Sequence, residues 1–173
     1  LRLVGSEMCI RDRASYGSVS NWDQAQGIIQ TAMDAWGRVD ILVNNAGILR
    51  DKAFVNMTKE EYEAVDAVHH LGTAYCTKAA WPIMRKQAYG RIVVTTSGSG
   101  TVGNFGQANY GAAKMAVNGL INVLRHEGAK YNIRCNAISP SAWTRMTENL
   151  LPPDVGQWMK PELVSPMVAW LCS

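Results

Sequence analysis

The 173 residues carry 47% hydrophobic and 18% charged side chains and a formal net charge of +3, a balance that suits one globular domain with a real core and excludes a disordered chain. No basic run and no aromatic RNA-reading motif is present, which argues against a nucleic-acid partner, and no apolar run approaches the roughly 20 residues of a membrane-spanning helix. Cys9, Cys76, Cys135 and Cys172 form no CxxC pair and no closely spaced set, the pattern of reduced thiols in an intracellular protein.

Residues 1–13 (LRLVGSEMCIRDR) have neither helical nor strand period and no signal-peptide layout. Their VGSEMCIRDR resembles a translated sequencing-adapter read, so this segment is expected to be non-native and 14–173 to be the domain. Ser18 or Ser20 can cap a helix whose apolar positions run from Trp22 through Ala25, Ile28, Ile29, Ala32 and Met33 to Trp36, with Gly37 as its C′ residue. Residues 39–43 (VDILV) read as a buried strand leading into Asn44-Asn45-Ala46-Gly47. Thr58 to Glu61 is a capping box opening a second helix that continues past Gly72 to Met84, with Pro82 expected to kink or end it. Buried strands follow at 91–96 (RIVVTT) and 133–139 (IRCNAIS), separated by a long helix over 108–130. A Pro-containing loop leads to an apolar helix from Pro161, a favoured first helical residue, and that pattern stops at Ser173 without a cap. Helices and strands alternating at this spacing predict an α/β fold, a parallel sheet with helices on both faces.

The stretch from Ser97 to Lys114 carries the chemistry. Tyr110 and Lys114 share one face of a helix. An ammonium about 4 Å from the phenol in a shielded site favours the phenolate by roughly 4 kcal/mol. That amounts to about 3 pKa units and brings the Tyr near 7. Ser97 lies at the end of strand 91–96, where open α/β sheets bind ligands, and its hydroxyl can meet a substrate oxygen. Gly98, Gly100, Gly103 and Gly106 give the intervening loop the freedom to bring Ser97 and Tyr110 to one atom. Gly98-x-Gly100-x-x-Gly103 also matches GxGxxG, but it lies after an internal strand and no acidic residue follows at a strand end, so it is not read as a pyrophosphate site. His69 and His70 are adjacent on a helix with no Cys or carboxylate cluster facing them, so no metal site is expected.

NNAG at 44–47, Ser97, YGAAK at 110–114 and NAISP ending at Pro140 together resemble the short-chain dehydrogenase/reductase family. The resemblance implies a Rossmann-like doubly wound parallel sheet, here truncated at both ends, with the first βαβ unit and the last strand missing and the fragment alone inactive. It implies catalysis by Tyr110 as general acid/base. Lys114 would bind the nicotinamide ribose and lower the Tyr pKa, and Ser97 would polarise the substrate oxygen. The implied cofactor is NAD, with NADP not excluded. Asn45, Ala46 and Gly47 would approach its adenosine side, and Pro140 and Thr144 would stand near the carboxamide, with Ser141 replacing the usual Gly. NNAGILRD, KAAWP, YGRI, GNFGQAN before YGAAK and TRMT at 144–147 are similar to a subfamily, the (3R)-hydroxyacyl-CoA dehydrogenase unit of peroxisomal multifunctional enzyme type two and its bacterial relatives. His69 takes the position of that family's helix Asn, as a proton-relay residue or as a packing His. Gly17 stands where relatives often carry an Asp at a strand end. The substrate implied is a (3R)-3-hydroxyacyl-CoA, with 3-oxoacyl carrier protein, steroid or another small alcohol as alternatives. Arg50, Lys52 and Arg145 are candidate contacts for CoA phosphates. The remaining expectations are a homo-oligomer, dimer or tetramer, in the cytoplasm, or in the peroxisome if eukaryotic.

Overall fold

The structure, a computed structural model, describes residues 13–144, 153–156 and 158–173. Among these are three strands, β1 (Ile41–Asn44), β2 (Gly90–Thr95) and β3 (Ile133–Ile138), paired in parallel in the order β1-β2-β3. Ile41 stands opposite Arg91 and Ile92 opposite Cys135, so the strands' C-terminal ends finish together at one edge of the sheet.

Helix α1 (Trp22–Trp36) is capped by Asn21, whose side chain accepts from Gln24 N at 3.0 Å. The expected caps, Ser18 and Ser20, bond to each other at 2.8 Å instead. Gly37 closes the helix at φ 70°, a conformation glycine adopts without a Cβ clash. Residues 13–17 are not in a strand, so Gly17 is not at a strand end; a Cβ there would meet Gln24 O at 3.0 Å. Strand β1 begins later than expected because Val39 is already paired. The Gln87 amide accepts from Val39 N at 3.0 Å and donates to Val39 O at 2.8 Å.

Helix α2 (Lys59–Asp66) opens on the Thr58–Glu61 capping box. It does not run unbroken to Met84. A π-helical turn at Ala67–Leu71 intervenes, and α3 (Gly72–Gln87) follows. Pro82 neither ends nor stops α3, which carries it on an exposed side and terminates at Ala88 in the left-handed region, φ 53°. After β2 comes a single turn, α4 (Gly98–Thr101), then α5 (Ala108–Gly128), one turn of 3-10 helix at Ala129–Tyr131, and β3. Near the C-terminus α6 (Pro153–Gly156) precedes a 3-10 turn at Pro161–Leu163 and α7 (Ser165–Leu171).

One sheet face is packed by α1, α3 and α5. Its core includes Ile29, Met84, Ile92, Val94, Val117 and Ile133. Leu42 sits against this core, while Ile41 and Val43 point to the opposite face and remain 49% and 44% exposed. Strand β1 is therefore buried on one side only. On that second face a groove of about 630 Å³ separates Ile41, Val43 and Ile138 from Val164 and Val168 of the α7 region. Cys76, Cys135 and Cys172 are free and buried. No described helix is long and apolar enough to cross a membrane.

Candidate active site

The C-terminal ends of the strands gather the polar residues singled out in the sequence. Ser97, just past β2, is the N-cap of α4, and its Oγ accepts from Ser99 N at 3.2 Å. The segment between Ser97 and Tyr110 is more ordered than a free loop. Gly98 and Gly100 lie in the α4 turn, and only Gly103 (φ 83°) and Gly106 (φ 79°) use the left-handed region. Gly100 serves close packing: a Cβ would stand 3.0 Å from Met115 N and 3.1 Å from Lys114 C. The GxGxxG match is thus a packing and turn device that lays α4 on α5.

Tyr110 and Lys114 both leave α5 toward this edge. Lys114 is 4% exposed, and its Nζ donates to Thr95 O at 2.5 Å while standing 5.5 Å from the Tyr110 ring centroid. Burial pulls the Lys114 ammonium down to about 8. Tyr110 does not follow the expectation of a phenol near 7. Burial pushes it above its ordinary value, the Ser97 hydrogen bond pulls the other way, and the Asp51 carboxylate pushes it further up. In this arrangement Tyr110 holds its proton at neutral pH.

His69 lies in the π turn, 4% exposed, with its ring edge-on to Tyr110 at 5.0 Å and 84°. Its Nε2 is 2.8 Å from Ile48 O and 3.1 Å from Ile48 N, while Nδ1 is buried without a partner. One ring nitrogen cannot donate and accept at once, so the tautomer decides which Ile48 group is satisfied. Burial lowers the His69 pKa and keeps the ring neutral. His70 instead meets Asp66 at 3.2 Å, one turn back on the same helical stretch.

Asn44 Nδ2 donates to Thr77 Oγ1 at 3.1 Å, and Thr95 Oγ1 donates to Asn45 Oδ1 at 2.8 Å, tying the NNAG segment to α3 and β2. Asn45, Ala46 and Gly47 are exposed at the rim. A Cβ on Gly47 would fall on His69 Cε1, with both ring nitrogens only 3.2 Å away. Gly47→Ala is therefore expected to lower stability by about 1–3 kcal/mol, as overpacking does. Urea unfolding of the single and the Gly47→Ala/His69→Ala double variant checks this: the double should recover part of the loss. Asn45, Thr95, Pro140 and Thr144 line one end of the groove beside α7. Of the basic candidates, Lys52 pairs with Glu61 at 2.6 Å and Arg50 Nη1 donates to Leu49 O at 2.7 Å, while Arg145 lies outside the described residues.

Three residues not singled out as site residues support this edge. Asn109 is fully buried; its Oδ1 accepts from Tyr110 N at 2.7 Å and its Nδ2 donates to Arg50 O at 3.1 Å. Asp51 and Gln107 join at 2.7 Å. Gln107 stands three positions before Tyr110, as the N-cap residue of α5, and its partner Asp51 is distant in sequence. Among the described residues no group of His, Cys, Asp or Glu is arranged to hold a metal ion.

A parallel α/β sheet with flanking helices, and with Ser97, Tyr110 and Lys114 at its C-terminal edge, is a Rossmann-like architecture. The short chain dehydrogenase family model matches residues 11–153, and the chain belongs to that family. It is 53% identical over 169 residues to a short-chain type dehydrogenase/reductase of Mycobacterium tuberculosis, covering 95% of this chain and 59% of that protein. It is 50% identical over 158 residues to peroxisomal multifunctional enzyme type 2 of Mus musculus, covering 90% of this chain and 22% of that one. The crystal structure of a short chain dehydrogenase from Mycobacterium avium superposes with a TM-score of 0.82 at 45% identity, over 91% of this chain and 55% of that one. The chain thus spans between about a fifth and three fifths of the length of these relatives.

Proposed function

We propose that the protein to which this chain belongs transfers a hydride between a nicotinamide dinucleotide and a secondary alcohol or ketone. The carrying observation is the convergence of Ser97, Tyr110 and the buried Lys114 at the strand ends. The donor set fits the cofactor: a buried ammonium that donates to Thr95 O and carries further N–H donors suits a ribose diol, and Asn45, Pro140 and Thr144 border the adjoining groove. Lys114 would hold the ribose. Asn45, Ala46 and Gly47 would lie toward the adenosine side, and Pro140 and Thr144 toward the carboxamide.

When bound, the nicotinamide exchanges the hydride with the substrate carbon. Ser97 Oγ, accepting from Ser99 N, has its own proton to give to the substrate oxygen. In reduction, Tyr110 Oη supplies the proton to the oxygen as the carbon gains hydride. In oxidation, the Tyr110 phenolate takes the hydroxyl proton as the C–H electron pair departs. Neutral His69, edge-on to Tyr110, is in place to act as a hydrogen-bonding relay from its unpartnered Nδ1.

The substrate class we favour is (3R)-3-hydroxyacyl-CoA and its 3-oxo partner, on the sequence likeness that extends through GNFGQAN and NNAGILRD. NAD is the favoured nucleotide. A homo-oligomer is also proposed, through the outer sides of α3 and α5, where Tyr75, Trp81, Leu120 and Leu124 line a depression of about 400 Å³. Assaying the full-length protein with (3R)-3-hydroxyacyl-CoA, 3-hydroxyacyl carrier protein and a steroid alcohol, each with NAD and NADP, tests the reading. Turnover of the CoA ester with NAD is expected. Turnover of none of them would overturn it.

A further inference from the structure

Gln107, the N-cap residue immediately before α5, is only 8% exposed. Its amide makes three side-chain hydrogen bonds: Nε2 donates to Asp51 Oδ2 at 2.7 Å, and Oε1 accepts from Ser99 Oγ at 2.8 Å and Asn104 Nδ2 at 3.2 Å. A carboxylate on one side and a hydroxyl and an amide NH₂ on the other leave one orientation for that amide. Ser99 is also the residue whose N–H meets Ser97 Oγ, and Ser97 in turn hydrogen-bonds Tyr110. The loop bearing Asp51 is pinned on both sides. Lys52 N donates to Gly106 O at 2.8 Å, and Asn109 Nδ2 donates to Arg50 O at 3.1 Å.

Resting on the dehydrogenase reading, we propose that Asp51 and Gln107 are a positioning pair for the reaction: the Gln107 amide holds the Asp51 carboxylate toward the phenol and, through Ser99, aims the Ser97 hydroxyl at the same point. Neither residue touches the reacting atoms. They act through Ser97 and Tyr110. The pair also sets charge. Among the described residues the charged or titratable groups facing Tyr110 are Asp51 from the loop after β1, His69 from the π turn and Lys114 from its own helix. His69 is neutral, and the flanking Lys52 and Glu61 neutralise each other at 2.6 Å. Among the described residues Asp51 is the carboxylate that acts on the phenol, and it opposes phenolate formation.

A swap of the two side-chain types separates this from simple packing. Asp51→Asn keeps an acceptor for the Gln107 amide and removes the charge. Gln107→Glu sets two carboxylates against each other. The double variant restores a donor facing an acceptor with polarity reversed, while Ser99 and Asn104 still find an acceptor. In the full-length enzyme Gln107→Glu should lower kcat about tenfold or more, and adding Asp51→Asn should recover most of it. In the full-length protein without cofactor, labelled with ¹³Cζ-tyrosine and assigned through Tyr110→Phe, Asp51→Asn should move the Tyr110 titration to lower pH. Thermal unfolding of the same four proteins gives the coupling without any turnover. An unmoved Tyr110 midpoint together with additive effects in the cycle overturns the pair. Absent turnover in the unmutated full-length enzyme overturns the dehydrogenase reading, and the titration and unfolding cycle still decide on the pair.

Discussion

Tyr110→Phe in the full-length protein is expected to lower turnover about 10³-fold or more while leaving nicotinamide cofactor binding near its original affinity. In the proposed mechanism the phenol oxygen passes a proton to the substrate oxygen, and Phe keeps the ring that packs edge-on against His69 at 5.0 Å. Fold and cofactor site should therefore survive, with stability lowered by about 1 kcal/mol for the lost Ser97 hydrogen bond. The pH dependence of the unmutated enzyme follows from the sign of the Tyr110 shift. Burial holds the proton on the phenol above the ordinary range, so ketone reduction has its acid in the right state at neutral pH. Alcohol oxidation needs the phenolate and should rise with pH across the alkaline range. Turnover numbers in both directions, with cofactor affinity by fluorescence titration, check both points. Undiminished turnover in Tyr110→Phe would remove Tyr110 from the role of general acid/base.

How far these properties could be read from the chain differs from feature to feature. The α1 C-terminus at Gly37, the capping box at Thr58–Glu61 and the three strands were legible because each is written in contiguous residues. The π turn at Ala67–Leu71 was not, since its residues satisfy an ordinary helical pattern and the close approach of His69 to Gly47 joins segments distant in sequence. The half-open face of β1 was hidden for a related reason. VDILV reads as a buried strand, whereas burial on the side of Ile41 and Val43 depends on what packs there. Ser97, Tyr110 and Lys114 were visible through spacing. Asp51 and Gln107 were not, because their meeting requires the loop after β1 and the start of α5 to converge in space. The expected low Tyr110 pKa failed on geometry. Lys114 turns its ammonium to Thr95 O, so burial governs the phenol.

Lys114→Met should abolish activity in the full-length protein yet change stability near pH 7 by no more than about 1 kcal/mol, because two large effects oppose each other. Keeping the buried ammonium charged costs about 3 kcal/mol, the equivalent of the fall from 10.5 to about 8. Against this stands the hydrogen bond to Thr95 O, worth about 1.5–3 kcal/mol for a charged donor. The opposition changes with pH. Below about 8 the lysine is protonated in both folded and unfolded chains, and the desolvation cost is fully present. Between about 8 and 10.5 the folded chain releases a proton that the unfolded chain keeps, so rising pH favours folding. The unmutated chain should therefore gain up to about 3 kcal/mol relative to Lys114→Met across that window. Cys135, raised to about 11 by burial, opposes folding over part of the same range. It does so equally in both proteins, and taking the difference between them removes it. Denaturant midpoints of the two chains, measured in steps through that pH interval, should diverge. Parallel curves would mean that the Lys114 ammonium is not desolvated, and the account of Lys114 as a buried cation awaiting the ribose hydroxyls would fall with it.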